Sequence, residues 1–557
     1  MLKLKFLRVP LTAPIFSARL WMVMTFMLGV MPLWLSSTEM WDGVVGIHAL
    51  TIHDWDVMKG WILDSNWYLT YAIFILADVL QQWVGLPYWI FFKFWLVLII
   101  VGIAFEVYRL AIQVFEIPGS IALWLPSLVF SFPVWYVFFS YTCMSGHLTC
   151  VWLALAGYRL LYSGKKWVMA IGALLVLLSF QLASTCAFIL ALELGRWLIC
   201  KKTGTWVYWR SILLLILAIG VFAATRVIWP PVGVYAAYNQ FLNPLQSGSW
   251  ISYTKHAALF ATWLVLVLPM GICIWWASRK SAGGLMDALK GSWRPAFFLA
   301  FLAISACAPY IAVGLGSPLF TLNIASSDSV SAVLASNSAV WPVSVWYGGW
   351  GARHMFLMMI SVVIFVAWLA TMYQKLLPVS STRLVQGSII LTICISLAFC
   401  VPGHWSKLHR IATEQTIVQA LAEKPPMPPG DVNFLLDKRV DYLVYMYEAN
   451  YLLYKAYKGT SWSALMLPDH AAIQRWGEEN RIFVTDQARK NRDMVAKMNL
   501  MDNYSWAHSC KTEAKITLPT LSVWDVLWRA EHLPEQLPMA SILPVSSSCS
   551  GAAGFWR

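Results

Sequence analysis

The chain has 557 residues, of which 59% are hydrophobic and only 12% charged, against roughly 25% charged in a soluble domain. This excludes disorder, a coiled coil and an ordinary soluble enzyme, and the 33 Trp residues point to a polytopic membrane protein. The net charge of +13 is no nucleic-acid signature, because residues 1–402 hold 23 basic and 11 acidic residues while residues 403–557 hold 17 and 16. The excess belongs to the membrane part, where topology explains it, and no nucleic-acid partner is expected.

A helical span needs about 20 apolar residues. In chain order, eleven segments qualify: 19–37, 88–110, 119–141, 145–163, 167–183, 184–200, 211–229, 256–277, 295–315, 355–374 and 383–402. The pair 167–183 and 184–200 is one apolar stretch broken only by Gln181, Ser184 and Thr185, and reads as a tight re-entry. With the N-terminus in the cytoplasm, 18 of the 23 basic residues before position 403 fall on the cytoplasmic side. The first span has no small-residue cleavage site before "TEMWDG" and reads as a retained helix. The fold class expected is an all-α polytopic membrane bundle with a C-terminal extracytoplasmic α/β domain. The setting expected is a bacterial inner (plasma) membrane, with that domain in the periplasm or outside the cell.

Between the first and second spans lies an outward loop, 38–66, followed by an apolar but interrupted helix, 67–85, which suits the membrane interface or a groove on the bundle. Beyond residue 402 the composition turns polar. Residues 403–432 read as a linker around the stiff run "EKPPMPPGD", and 433–557 as one soluble domain. There "RVDYLVYMYEANYLLYKAYKG" suggests a helix ending at Gly459, while "RIFVTD" and "KITLPTLSVWDVLW" suggest short strands or amphipathic pieces. Cys510 and Cys549 are the cysteines placed to pair, and aromatics from Tyr442 to Trp462 offer either sugar-stacking faces or a plain aromatic core.

Five of the 11 acids of the membrane part crowd into the first outward loop: Glu39, Asp42, Asp54, Asp56 and Asp64, with His48 and His53 among them. A carboxylate at a span end beneath a cap of loop helices is partly desolvated and suited to act as a general base. Asp42 has that position, with Glu39 one turn earlier if the helix continues. Asp54, Asp56, His53 and His147 are accessory candidates. In "WYGGWGARHMFLMM" Arg353 and His354 sit where a headgroup phosphate would be, and Arg226 ends another span at the same depth. The alternative for each is a snorkelling side chain at a span end. Lys93 is an oddity in mid-span, expected to point into a wet cavity or toward a partner, and too far along the helix from Glu106 to pair with it. Cys143 and Cys150 flank His147 without a fourth ligand, so no metal site is expected, and there is no P-loop, no dinucleotide fingerprint and no HExxH.

Four features resemble the GT-C superfamily of integral membrane glycosyltransferases: the acidic "EMWDG" after the first span, the outer loop leading into "WYLTYAIFILADVLQQWVGLPYWIFFKFWLVLIIVGIAFEVYRLA", the proline-bearing "LPSLVFSFPVWYVFFSYT", and the outer C-terminal part. The resemblance implies an enzyme that takes a sugar from a polyprenyl-phosphate carrier at the outer face and inverts the anomeric centre. Asp42 would be the base and Glu39 its accessory or alternative, with Arg353 on the carrier phosphate. The partners implied are membrane lipid, the lipid-linked sugar donor, and an acceptor glycan, lipid or protein; no tightly bound cofactor is implied, and metal dependence stays open. The alternatives are a glycan polymerase or ligase using a pyrophosphate-linked oligosaccharide, which would carry more outer arginines and histidines, a lipid-linked-glycan transporter, which would show repeats and broken helices, and a subunit of a larger complex.

Overall fold

A computed structural model describes residues 13–39, 42–51, 53, 55–63, 66–199, 205–230, 262–280, 297–304, 356–376, 381–423, 432–436, 452, 455–456, 465–467 and 512–547. These residues are mostly helical, with one small sheet. Among them, four helices are long and apolar enough to cross a membrane: Ser17–Leu35, Tyr88–Gln113, Phe356–Leu376 and Arg383–Ala422. They coincide with four of the eleven expected spans.

The chain opens with α1 (Ala13–Gly29) and a 3-10 turn, Met31–Leu35, and continues without regular structure through Ser36–Glu39. It then forms α2 (Asp42–Thr51), α3 (Trp55–Met58) and a π turn, Lys59–Leu63. The interrupted apolar segment is α4 (Tyr68–Val84), which buries Thr70, Ile73, Phe74, Ala77 and Asp78 along one helical stripe. Gly85 ends it in the left-handed conformation, with φ 69°. α5 (Tyr88–Gln113) follows.

The expected span 119–141 is not one helix. It breaks into α6 (Gly119–Ala122), α7 (Leu125–Ser131) and a 3-10 turn, Trp135–Phe139. Pro126 opens α7, and Pro133 follows its end, where a ring that fixes φ and removes a donor stops the helix. α8 (Tyr141–Leu161) is the hub of the bundle, buried at every residue from Tyr141 to Val151 and packed on α2, α4, α5 and α9. The apolar stretch 167–200 is not one bent helix: α9 (Lys166–Ser179) and α10 (Ala183–Ile199) are separate helices. The polar patch between them has a task, since Gln181 accepts the Leu69 amide at the start of α4 at 2.8 Å.

Close helix approach depends on small residues, because lipid supplies no hydrophobic drive for helices to associate. Gly157 on α8 faces Gly172 on α9, where a Cβ would lie 2.8 Å from the Gly172 carbonyl oxygen. Gly29, the last residue of α1, lies against α7 so tightly that a Cβ would overlap the Phe130 carbonyl oxygen. α5 and α8 meet through Gly102 under the Trp152 ring and through the Trp95 indole donating to Thr149 Oγ1 at 3.0 Å.

Further along come α11 (Thr205–Ala223) with a π turn, Ala224–Ile228, then α12 (Leu268–Lys280), helical residues 297–304, and α13 (Phe356–Leu376). α14 (Ser381–Ala422) runs through Pro402 for 42 residues. Residues 403–422, expected as the first part of a linker, are therefore helix. At about 1.5 Å per residue they project roughly 30 Å beyond the apolar part. The sheet has the order β2-β1-β3-β4, with β1 (Val432–Leu436), β2 (Leu465–Leu467), β3 (Thr512–Thr517) and β4 (Ser541–Ser547). β1 is parallel to β2 and β3, and β3 pairs antiparallel with β4. Only the first part of "KITLPTLSVWDVLW" is strand; from Ser522 the chain turns helical through a capping box in which the Ser522 amide donates to Asp525 and the Asp525 amide to Ser522 Oγ.

Candidate functional site

The acidic stretch after α1 is fastened to the start of α8. Glu39 is buried, and its Oε2 accepts the Thr142 amide at 3.0 Å. Thr142 is the second residue of α8, so the carboxylate meets the positive end of a helix dipole and one of its unsatisfied amides. Thr142 Oγ1 donates to the Gly43 carbonyl at 3.1 Å, and the Tyr141 hydroxyl donates to the Ser37 carbonyl at 2.9 Å. Gly43 leaves room for the Glu39 side chain, which would stand 2.2 Å from a Cβ at that position. Glu39 does not share a helical face with Asp42, because Glu39 lies outside regular structure and α2 begins at Asp42. The Asp42 side chain lies outside the described residues; its backbone sits beside this clamp.

Across from the clamp is Lys93, in the second turn of α5 rather than at mid-span. It is 2% exposed, and its Nζ has no hydrogen-bond partner among the described residues. Two aromatic faces flank it, Tyr141 at 5.3 Å and Trp89 at 5.6 Å from Nζ to ring centroid. The carboxylates of Glu531 and Glu39 act on it electrostatically. Glu531 belongs to a short helix, Ala530–His532, that rests on α14. The same carboxylate acts on Lys455, as does Glu414, which Arg410 holds at 2.8 Å. Burial pushes the Lys455 ammonium pKa down, while Glu414 and Glu531 act to raise it.

A second polar cluster lies at the rim. Asp78, buried on α4, accepts from the Tyr88 hydroxyl at 2.9 Å and from Gln82 Nε2 at 2.8 Å, and lies 3.3 Å from His53 Nδ1. His53 is exposed and has a left-handed backbone, φ 54°, as does Asn66 at 64°. Asn66 donates through Nδ2 to the Thr225 and Trp229 carbonyls at 3.2 and 2.9 Å, so the first loop is tied to the π turn that contains Arg226. The Arg226 side chain lies outside the described residues. His147 is buried on α8, with Nδ1 3.3 Å from the Cys143 carbonyl and its ring edge-on to Trp67 at 4.9 Å. Asp56 is exposed on α3. Asp54, Asp64, Arg353, His354, Cys510, Cys549 and the aromatics at 442, 445, 447, 451, 454 and 462 lie outside the described residues.

Glu106 lies roughly 20 Å along α5 from Lys93. It takes Arg159 of α8 in a two-pronged pair at 2.6 and 2.8 Å, lining a cleft with Tyr158 and Tyr162. Sequence reading placed Arg159 only as a topology marker. Nearby Glu193 accepts from Tyr158, Tyr162 and Ser211, which satisfies a buried acid with hydroxyls. In this second network Arg210 lies over the Tyr162 ring at 4.9 Å, with its Nε buried and without a hydrogen bond among the described residues; the first network sets its buried ammonium beside a fastened acidic loop. Among the described residues no group of three His, Cys, Asp or Glu side chains is placed to hold a metal ion.

Comparison with protein-family models, with curated proteins and with solved structures found no match. What the site can do rests on its own chemistry. A buried ammonium without a hydrogen bond favours an anion, and a carboxylate-bearing loop beside it supplies a proton acceptor.

Proposed function

We propose that this chain is a membrane glycosyltransferase of GT-C type. It takes a sugar from a polyprenyl-phosphate carrier and gives it to a glycan, lipid or protein acceptor at the extracytoplasmic face. One observation carries the reading: the buried Lys93 ammonium, unbonded and walled by Trp89 and Tyr141, beside the acidic loop pinned by Glu39 and Thr142. In this reading about eleven helices form the membrane part, residues 433–557 form an extracytoplasmic α/β domain, and the N-terminus is cytoplasmic.

Asp42 takes the proton of the acceptor hydroxyl as that oxygen attacks the anomeric carbon. The bond from that carbon to the carrier phosphate breaks, its electrons stay on the phosphate oxygen, and the configuration inverts. Lys93 stabilises the charge growing on the leaving phosphate, which a fixed cation in a dry site does better than water. Arg353, with His354 and Arg226, supplies further positive charge to the same headgroup. Glu39 acts as a positioning residue, because it is spent on the α8 amide.

The test incubates purified protein with a panel of polyprenyl-phosphate sugars and measures release of lipid phosphate from wild type and from Asp42→Asn. Turnover by wild type and a loss of about 10³-fold or more in the variant are expected. Turnover intact in Asp42→Asn removes Asp42 as the base.

A further inference from the structure

The cleft at the far end of α5 from Lys93 is lined by Glu106 and Gln113 of α5 and by Tyr158, Arg159 and Tyr162 at the end of α8. Its one lining carboxylate is spent. Glu106 takes Nε and Nη2 of Arg159, so the guanidinium, one-third exposed, keeps Nη1 for another acceptor. The Tyr162 ring carries a second guanidinium, Arg210 of α11, whose buried Nε has no hydrogen bond among the described residues. Glu193 is engaged as well, by three hydroxyls. Arg109, Lys165 and Lys166 add positive charge around the cleft, against one further acid, the exposed Glu116. Open guanidinium donors without a free carboxylate beside them suit a phosphate. Two tryptophans give the depth. Trp167, next to Lys166, and Trp209, next to Arg210, are 65% and 71% exposed, and tryptophan gathers where hydrocarbon meets water. From each, exposed apolar side chains continue at helical spacing, Ile171 and Leu174 on α9 and Ile212, Ile216 and Ile219 on α11. The two helices touch, so these faces form a surface fit for acyl chains.

We propose that this cleft binds the phosphate of an anionic membrane phospholipid, whose acyl chains lie along α9 and α11. Arg159 stays fixed by Glu106 and donates its open edge to a phosphate oxygen, and Arg210 supplies the donor that has no partner within the protein. The bound lipid ties α8 to α11 at the headgroup level. The site is roughly 20 Å along α5 from Lys93, and it is independent of the glycosyltransferase reading.

The experiment titrates full-length protein in detergent with dioleoyl phosphatidylglycerol and reads bound lipid by native mass spectrometry. Dioleoyl phosphatidylcholine is the zwitterionic control, and glycerol 3-phosphate is the headgroup without chains. Phosphatidylglycerol is expected to bind about ten-fold or more tighter than phosphatidylcholine, and glycerol 3-phosphate not measurably. Arg210→Gln should weaken phosphatidylglycerol binding about three- to ten-fold, the scale of one charge-assisted hydrogen bond that is partly screened, and leave phosphatidylcholine binding unchanged. Its lipid-free melting should match wild type, since Arg210 is bonded to no carboxylate. Arg159→Gln alone would leave Glu106 buried and unpaired, so the paired variant Glu106→Gln/Arg159→Gln is used, and it should weaken phosphatidylglycerol binding likewise. Arg279→Gln removes an exposed cation that lies on the Trp275 ring of α12, away from the cleft, and should stay within about two-fold of wild type. Equal affinity for the two lipids, undiminished binding in Arg210→Gln, or the same loss in Arg279→Gln overturns the proposal. Glycerol 3-phosphate bound as tightly as the lipid would make this a site for free phosphate compounds and overturn the lipid assignment.

Discussion

Gly43→Ala tests the clamp on the acidic loop. A methyl group at this position would lie 2.2 Å from Glu39 Oε1 and 2.3 Å from its carboxyl carbon. The Glu39 side chain is flexible in itself, yet it is buried and bonded to the Thr142 amide, so it can move aside only by giving up that bond. A hydrogen bond to a charged group contributes about 1.5–3 kcal/mol, and the abandoned amide at the start of α8 is buried too. Against this, alanine for glycine inside a helix returns up to about 1 kcal/mol. The net expectation is a loss of about 1–2 kcal/mol. In a Glu39→Ala background the clash is gone, only the helix gain remains, and Gly43→Ala should become neutral or stabilising. Unfolding midpoints of the four proteins in mixed micelles give the coupling directly. A Gly43→Ala penalty of the same size with and without Glu39 would refute the clamp.

Gly29→Ala places a methyl on the Phe130 backbone, which cannot rotate away. It should cost more than about 3 kcal/mol and show as lost monodisperse protein in detergent; a folded variant with unchanged melting would contradict the close α1–α7 contact. Lys93→Met should leave stability unchanged or raise it by about 1–3 kcal/mol, since a buried cation is replaced by an apolar group, while abolishing transfer. A destabilised Lys93→Met would mean that the ammonium is a structural tie. Burial raises the Asp525 carboxyl pKa, but hydrogen bonds from Ser522 and Arg529 prevail and hold it below its ordinary value. A depressed folded pKa contributes stability above the unfolded value of 3.8 and loses it as pH falls through the folded one. The protection of amides 522–533 against exchange, taken relative to the free-peptide rate at each pH, should therefore be constant from about pH 7 to 5 and fall below about pH 4; Asp525→Asn should show low protection throughout, and equal protection in the variant at neutral pH would oppose the capping role.

What could be read from the sequence followed local pattern. The interrupted apolar helix before the second span lies in its own periodicity and is α4. Lys93 stood out because a charge inside an apolar run is rare. Where hydropathy was averaged, it failed. The prolines at 126 and 133 broke an apolar stretch that reads as one span, and α14 runs on past Pro402, where apolarity ends, with most of residues 403–422 buried. The pairings were out of reach for a different reason. Glu39 meets Thr142 across 103 residues, and Glu106 meets Arg159 across 53. No spacing in one sequence encodes such contacts. The likeness to GT-C enzymes rested on degenerate motifs and layout, and it remains a proposal that the charge arrangement around Lys93 supports.

The central claim is tested most directly by reconstituting the protein in liposomes with a panel of polyprenyl-phosphate sugars and following release of free polyprenyl phosphate. Wild type is expected to release it with at least one donor. Lys93→Arg should retain part of that rate, and Lys93→Met should lose it while remaining folded. Release that is equal in wild type and Lys93→Met, or absent with every donor and a range of acceptors, would contradict the account.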